Sequence, residues 1–238
     1  MIFFNSEDTW KGVNMKSKHQ LLFEKYKHLL LLFYFPIYCI WFAYLEKTIT
    51  KHFHVIHMNI DDYIPFCEFF IVPYLLWFLY VALSIFYVAF TNRQQFIKMC
   101  MFLYTGMTLF LIISTIYPNG HFLRPLTFEQ DNIFVDLCRW LYQTDTSTNL
   151  FPSIHVYNSI GAHVAIMHHP KLKQKKTIRS LSAILTISII LSTLFLRQHS
   201  VFDVITAFIV AFVMYQLVYV GIFSKKPAKK KAKNEVIA

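Results

Sequence analysis

The stretch LSAILTISIILSTLFLRQHSVFDVITAFIVAFVMYQLVYV, residues 181–220, decides the fold. Two apolar runs, residues 178–196 and 201–223, meet at a short polar joint that carries Arg197, His199 and, four residues on, Asp203. Each run comes near the roughly 20 apolar residues that a helix needs to cross the hydrocarbon core. The pair therefore reads as two membrane helices joined by a polar turn at one surface. Working outward, the same blocking recurs at residues 29–45, 69–90, 99–117 and 154–167. The chain of 238 residues is 56% hydrophobic and only 15% charged, more apolar surface than a soluble domain of this length could hide. The expected fold class is an all-α integral membrane bundle of six transmembrane helices. Pro36 and Pro73 are expected to kink the first two, and the chain shows no internal repeat.

The start, Met1-Ile2-Phe3-Phe4-Asn5, has neither the basic opening nor the cleavage site of a signal peptide, so the first span is expected to stay. Lysine and arginine set the orientation. With six spans, eighteen of the 23 basic residues fall on the side of both termini, and Lys47, Lys51, Arg124, Arg139 and Arg197 fall on the other. That asymmetry implies cytoplasmic termini and puts the polar joint on the outer side. The net charge of +10 flanks apolar segments, which argues against nucleic acid as a partner. Residues 1–28 read as a basic cytoplasmic segment with an interfacial helix over 15–28. Residues 29–223 read as the membrane domain. Residues 224–238 read as a disordered basic tail at the anionic headgroups of the cytoplasmic face. The longest outer connection, 118–151, contains a helical spacing at Ile133, Phe134, Leu137 and Leu141, expected to form a short interfacial helix. Cys67 and Cys138 share the outer side and are expected to be free thiols, as are Cys39 and Cys100.

The polar residues at the outer ends carry the chemistry. His199 and Asp203 share a helix face, so the carboxylate can hold one imidazole nitrogen and leave the other as a nucleophile. The same pair could equally be a helix cap at the water boundary. Pro152-Ser153-Ile154-His155 opens the fourth span, where unpaired N–H groups and the positive dipole end favour an anion. His155 there can serve as an acid or base. Arg124, followed by Pro125, and Arg197 supply guanidinium groups suited to phosphate, although arginine at a span end is also a common interfacial anchor.

Together, Arg124-Pro125, Pro152-Ser153-Ile154-His155 and His199-x-x-x-Asp203 resemble, in order and spacing, the motif blocks of the type-2 phosphatidic acid phosphatase superfamily. The resemblance implies a metal-independent, cofactor-free enzyme acting on lipid phosphates through a phosphohistidine. His199 would be the nucleophile, Asp203 its orienting group and His155 the general acid and then base. Arg124, Ser153 and an arginine of the last block would bind the phosphate. The chain departs from the pattern at two places. Tyr117 stands where the family's first block has lysine, with His121 the nearest substitute. Ser192-Thr193 stand where the last block has Ser-Arg, with Arg197 one turn further out. The Pro-Ser-Ile-His form is similar to the branch that includes inositol phosphorylceramide synthases, so the phosphoryl acceptor is water or an alcohol. Three rivals compete: a metal site at His52, His54 and His57 with Asp61 and Asp62; a transporter using His155, His163 and Asp203; and an inactive scaffold. The first has weak ligand spacing, the second lacks midplane polar residues, and the complete His/His/Asp set argues against the third.

Overall fold

The computed structural model describes residues 18–221. The basic tail and the beginning of the expected helix at 15–28 lie outside the described residues. The helices are α1 (Lys18–Tyr26), α2 (Tyr34–Thr48), α3 (Ile71–Thr91), α4 (Arg93–Ile116), α5 (Ile133–Thr144), α6 (Ile154–His168), α7 (Lys176–Phe195) and α8 (Val201–Tyr215). A 3-10 stretch, Lys27–Phe33, joins α1 to α2, and a π turn, Gln216–Val220, extends α8. Two short strands, β1 (His54–Val55) and β2 (Asn119–Gly120), pair in parallel, His54 opposite Asn119.

Among the described residues, five helical stretches are long and apolar enough to cross a membrane: Leu22–Thr48, Glu68–Thr91, Arg93–Ile116, Lys176–Phe195 and Val201–Val220. Their outer faces carry large exposed apolar side chains such as Ile40, Phe90, Ile184 and Phe212. A helix surface of this kind is stable in lipid and not in water. The chain is a multi-pass, all-α membrane bundle.

Helix α6 is the fourth of the six spans read from the sequence, and it differs from the others. Its 15 residues rise only about 22 Å, less than the roughly 30 Å of hydrocarbon. It is the inner helix, packed against α3, α4, α7 and α8. The sequence reason is its small residues. Gly161, Ala162 and Ala165 let neighbouring backbones approach, and a Cβ at Gly161 would come within 2.6 Å of Leu103. Gly106 on α4 does the same from the other side, since a Cβ there would fall inside the Tyr157 ring of α6. Tyr157 stacks on Phe102 at 4.9 Å and donates its hydroxyl to the Phe102 carbonyl at 2.6 Å.

Between helices the contacts are van der Waals packing plus a few polar pairs, as expected where lipid removes the hydrophobic drive between spans. The Tyr80 hydroxyl meets Ser182 Oγ at 2.7 Å, and Tyr34 meets Thr108 at 2.7 Å. Pro36 and Pro73 are each the third residue of an α-helix, just past the point where a continuous helical stretch changes from 3-10 to α geometry. His28, assigned by sequence to the N-terminal segment, is buried and donates Nε2–H to the Ala89 carbonyl at 2.9 Å.

At the end of the bundle that carries the histidine motifs, the connections are knitted together. Asn119 accepts the N–H groups of Leu150 and Phe151 through its side chain and that of Asn149 through its carbonyl. Glu46, at the end of α2, accepts from the Thr146 hydroxyl at 2.6 Å and from Asn149 Nδ2 at 2.7 Å. Helix α5 is the short helix read in this connection. Asn132 caps it by accepting from Phe134 and Val135 N–H, and Val135, Cys138 and Leu141 form its buried face. All four cysteines are free thiols.

Candidate active site

His199 sits in the turn between α7 and α8, 5% exposed. The turn is possible because Arg197 takes a left-handed backbone (φ 52°) just past the end of α7, allowing the N–H groups of Gln198 and His199 both to reach the Thr193 carbonyl. Ser200 then caps α8. Its hydroxyl accepts from Phe202 N–H, while Asp203 reaches back to its N–H at 3.0 Å. The same carboxylate oxygen, Oδ2, lies 3.4 Å from His199 Nδ1. The two readings left open by the sequence, helix cap and imidazole partner, are thus both met by one carboxylate.

His155 is the second residue of α6, and its ring centroid is 5.7 Å from that of His199. Ser153 caps α6, its Oγ 3.4 Å from Val156 N, and its own N–H donates to the Asp203 carbonyl at 3.3 Å. The starts of α6 and α8 are therefore bonded together, and this sets the distance between the histidines. Tyr74 and Trp77 of α3 wall His155, with centroids at 4.6 and 4.3 Å.

The basic candidates are held differently from one another. Arg124 is folded inward over the Tyr142 ring. It donates to the carbonyls of Tyr142, Asp145 and Thr146 and to Gln198 Oε1 at 2.6 Å. His121 is fully buried, its Nε2–H donating to the Gln198 carbonyl at 2.8 Å and its Nδ1 accepting from Leu123 N–H. Both nitrogens are in use, which leaves His121 no donor for an anion. Arg197 donates to the Asp61 carbonyl at 2.8 Å, and its described contacts bring it to the loop after α2, not to His199.

Sequence reasoning missed several residues here. Asp61 is 1% exposed and accepts from Met58 N–H, Ser200 Oγ (2.6 Å) and Val201 N–H (2.8 Å), which latches the start of α8 to a loop some 140 residues earlier. The sequence groups it with the loop histidines as a candidate metal ligand. Its neighbour Asp62 instead pairs with His57 in the open. Gln198 carries no motif signal, standing between Arg197 and His199. Tyr74 and Trp77 carry no signal in a chain whose aromatic content is 18%. An open apolar cleft of about 400 Å³ lies elsewhere, between α3 and α7, lined by Leu79, Leu83, Leu181 and Leu185 among others.

The family model of the PAP2 superfamily matches residues 132–227, which include both histidine motifs. Over this segment the chain is similar to the PAP2 superfamily. No curated protein and no solved structure matches the chain. PAP2 membership goes with phosphatase or phosphotransferase chemistry on lipid phosphates and with a membrane setting, which the fold supplies independently. Arg124, Asp61, Tyr74 and Trp77 all precede the PAP2-matched segment and fold back onto it.

Charge at this PAP2 site is set by burial. Burial pushes His199 down to about 3, with the Arg124 guanidinium adding to the shift, so its imidazole is neutral at pH 7. Burial likewise pushes His121 down to about 4, and raises Asp145 to about 6 against the pull of Arg124. Stability follows. The unfolded chain protonates these two histidines near 6.5, so their contribution is complete above that pH and is lost as pH falls towards 4 and 3. Asp145 works the other way, costing stability as pH rises from 3.8 through 6. Within that window the two histidines oppose the single loop carboxylate. The unfolding temperature in detergent is expected to fall between pH 6.5 and 4; a flat or rising profile across that window would contradict the neutral histidines.

Proposed function

We propose that this protein is a lipid phosphate phosphatase working through a phosphohistidine. The observation that carries the reading is the approach of the His155 and His199 rings to 5.7 Å, with Asp203 behind His199 at 3.4 Å. A neutral His199 with Nδ1 held by the carboxylate presents Nε2 as a nucleophile. Nε2 attacks the terminal phosphorus, the P–O bond to the lipid breaks, and His155, which takes up the proton brought by the singly protonated lipid phosphate, passes it to the departing oxygen. His155 then takes a proton from water, which attacks the phosphohistidine and releases inorganic phosphate. The Arg124 guanidinium and the N-terminus of α6 at Ser153 lower the energy of the charge developing on the phosphoryl oxygens. Arg197 and His121, expected from sequence as further phosphate ligands, act in this reading as supports of the turn that holds His199. No metal or cofactor is required by this route.

The active end faces the exterior or an organelle lumen, with both termini in the cytoplasm, on the strength of the basic-residue asymmetry. Residues 29–223 form the catalytic membrane domain, and the basic tail at 224–238 associates with anionic headgroups. A phosphoenzyme of this kind can also pass its phosphoryl group to an alcohol. The Pro-Ser-Ile-His form favours keeping the headgroup transferase of the inositol phosphorylceramide synthase type as the second reading.

The test is phosphate release by the full chain in detergent, in the presence of EDTA, from a panel spanning phosphatidate, phosphatidylglycerol phosphate, polyprenyl pyrophosphate and sphingoid phosphates. Release from at least one member is expected. A folded protein that releases phosphate from none of them would overturn the hydrolase and leave the transferase, and loss of release on adding EDTA would overturn the metal-free route.

A further inference from the structure

Three buried N–H donors without an acceptor, Gln198 Nε2, Arg124 Nε and Trp77 Nε1, belong to side chains tied to the two histidines: Gln198 precedes His199, Arg124 donates to Gln198, and Trp77 lies against His155. Unpaired buried donors are costly and rare, so three tied to one pair of rings call for a common explanation. In each case the rest of the side chain dictates the vacancy. Gln198 is 1% exposed, and Arg124 Nη2 donates to its carboxamide oxygen at 2.6 Å. That bond fixes which end of the amide is oxygen and leaves the NH2 group without a partner. Arg124 commits both terminal nitrogens to four acceptors and keeps only Nε unused. Trp77 lies against His155 at 4.3 Å between centroids with its N–H unmet.

Buried acceptors without partners also occur here, at Asp203 Oδ1 and Asn158 Oδ1. Asp203 stands behind His199 on its Nδ1 side, and Asn158 is three residues past His155, deeper along α6. The three donors come from separate parts of the chain, helix α3, the connection before α5 and the α7–α8 turn. They suit a ligand group that only accepts, such as the oxygens of a tetrahedral phosphate.

We propose that Gln198 and Trp77 are phosphate-binding residues, taking oxygens of the transferred phosphoryl group together with Arg124 Nε. Gln198 then supplies, from the residue next to the nucleophile, a donor where Thr193 has none to spare and where Arg197 is turned to the Asp61 carbonyl. The inference rests on the phosphoryl-transfer reading above and names two ligands that the sequence motifs do not contain.

Its test is binding without turnover, on the full chain in detergent, with inorganic phosphate and orthovanadate as probes and the shift in unfolding temperature as readout. Wild type is expected to be stabilised saturably. Gln198→Glu keeps the acceptor for Arg124 and replaces the donor with an oxygen, so anion affinity is expected to fall about tenfold or more. Trp77→Phe keeps an aromatic ring beside His155 while removing the N–H along with part of the indole, with an expected loss of about three- to tenfold. If Gln198→Glu does not fold, Trp77→Phe carries the test. Wild-type half-saturation in both variants, or no anion-induced shift in the wild type, overturns the donor site. The underlying function fails by a different result, a His199→Ala protein that still releases phosphate.

Discussion

Replacing His199 with alanine is expected to abolish phosphate release, by a factor of about 10⁴ or more, with little change in the unfolding temperature at pH 7. The size follows from what is removed. His199 is neutral at working pH because burial and Arg124 hold it down to about 3, so nearly every molecule has a nucleophile ready. Among the described residues its Nε2 has no protein partner, and Asp203 faces the other nitrogen. Alanine leaves the electrostatics of Arg124 and the α6 N-terminus in place but removes the only atom positioned to form a bond to phosphorus. Water cannot take its place without the orientation that the ring supplies. Phosphate release and trapping of an acid-labile, base-stable phosphoenzyme from labelled substrate both check it. Residual activity above about one per cent would mean that the phosphohistidine is not on the main route.

The second large effect is expected at Asp203. Asparagine is the informative substitution because the present contacts use one oxygen. Oδ2 takes both the Ser200 N–H and the approach of His199 Nδ1, while Oδ1 is buried without a partner. A carboxamide oxygen can occupy the Oδ2 position and keep the helix cap, so α8 should start where it does now. What disappears is the negative charge behind an imidazole that becomes cationic as it bonds to phosphorus. A loss of about 10²- to 10⁴-fold in kcat, with KM and unfolding temperature near wild type, is the expected result. Unchanged kcat would reduce Asp203 to a cap. A fall in unfolding temperature parallel to the fall in kcat would point the same way. The two readouts separate roles that the geometry combines.

The parts of this molecule legible in sequence are those encoded locally. The apolar runs announce the spans, Asn132 announces the start of α5, and the four-residue spacing of His199 and Asp203 survives because both lie on one turn of helix. The illegible parts are pairings between distant segments. Asp61 looks like one of two acidic residues in a histidine-rich loop, and only the folded loop reveals that it holds Ser200 and Val201. His121 and Arg197 are of the right type for phosphate, yet the hydrogen bonds they make reach the Gln198 and Asp61 carbonyls, pairings no local pattern announces. A motif records which residue types are present, not whether their donors are free. Helix α6 was read as one more span because hydropathy does not report neighbours; its small residues make it the axis of the bundle instead.

The Asp61 latch also bears on how the protein comes into being. The PAP2-matched segment, residues 132–227, holds both histidines but neither Asp61 nor Arg124 nor the aromatic wall of α3. These earlier parts leave the ribosome first and wait in the bilayer. The start of α8 is made after them, and it must find a carboxylate in the loop between the first and second spans. On the proposed mechanism, a nascent chain stalled before α8 lacks both Asp203 and the partners of the Asp61 latch.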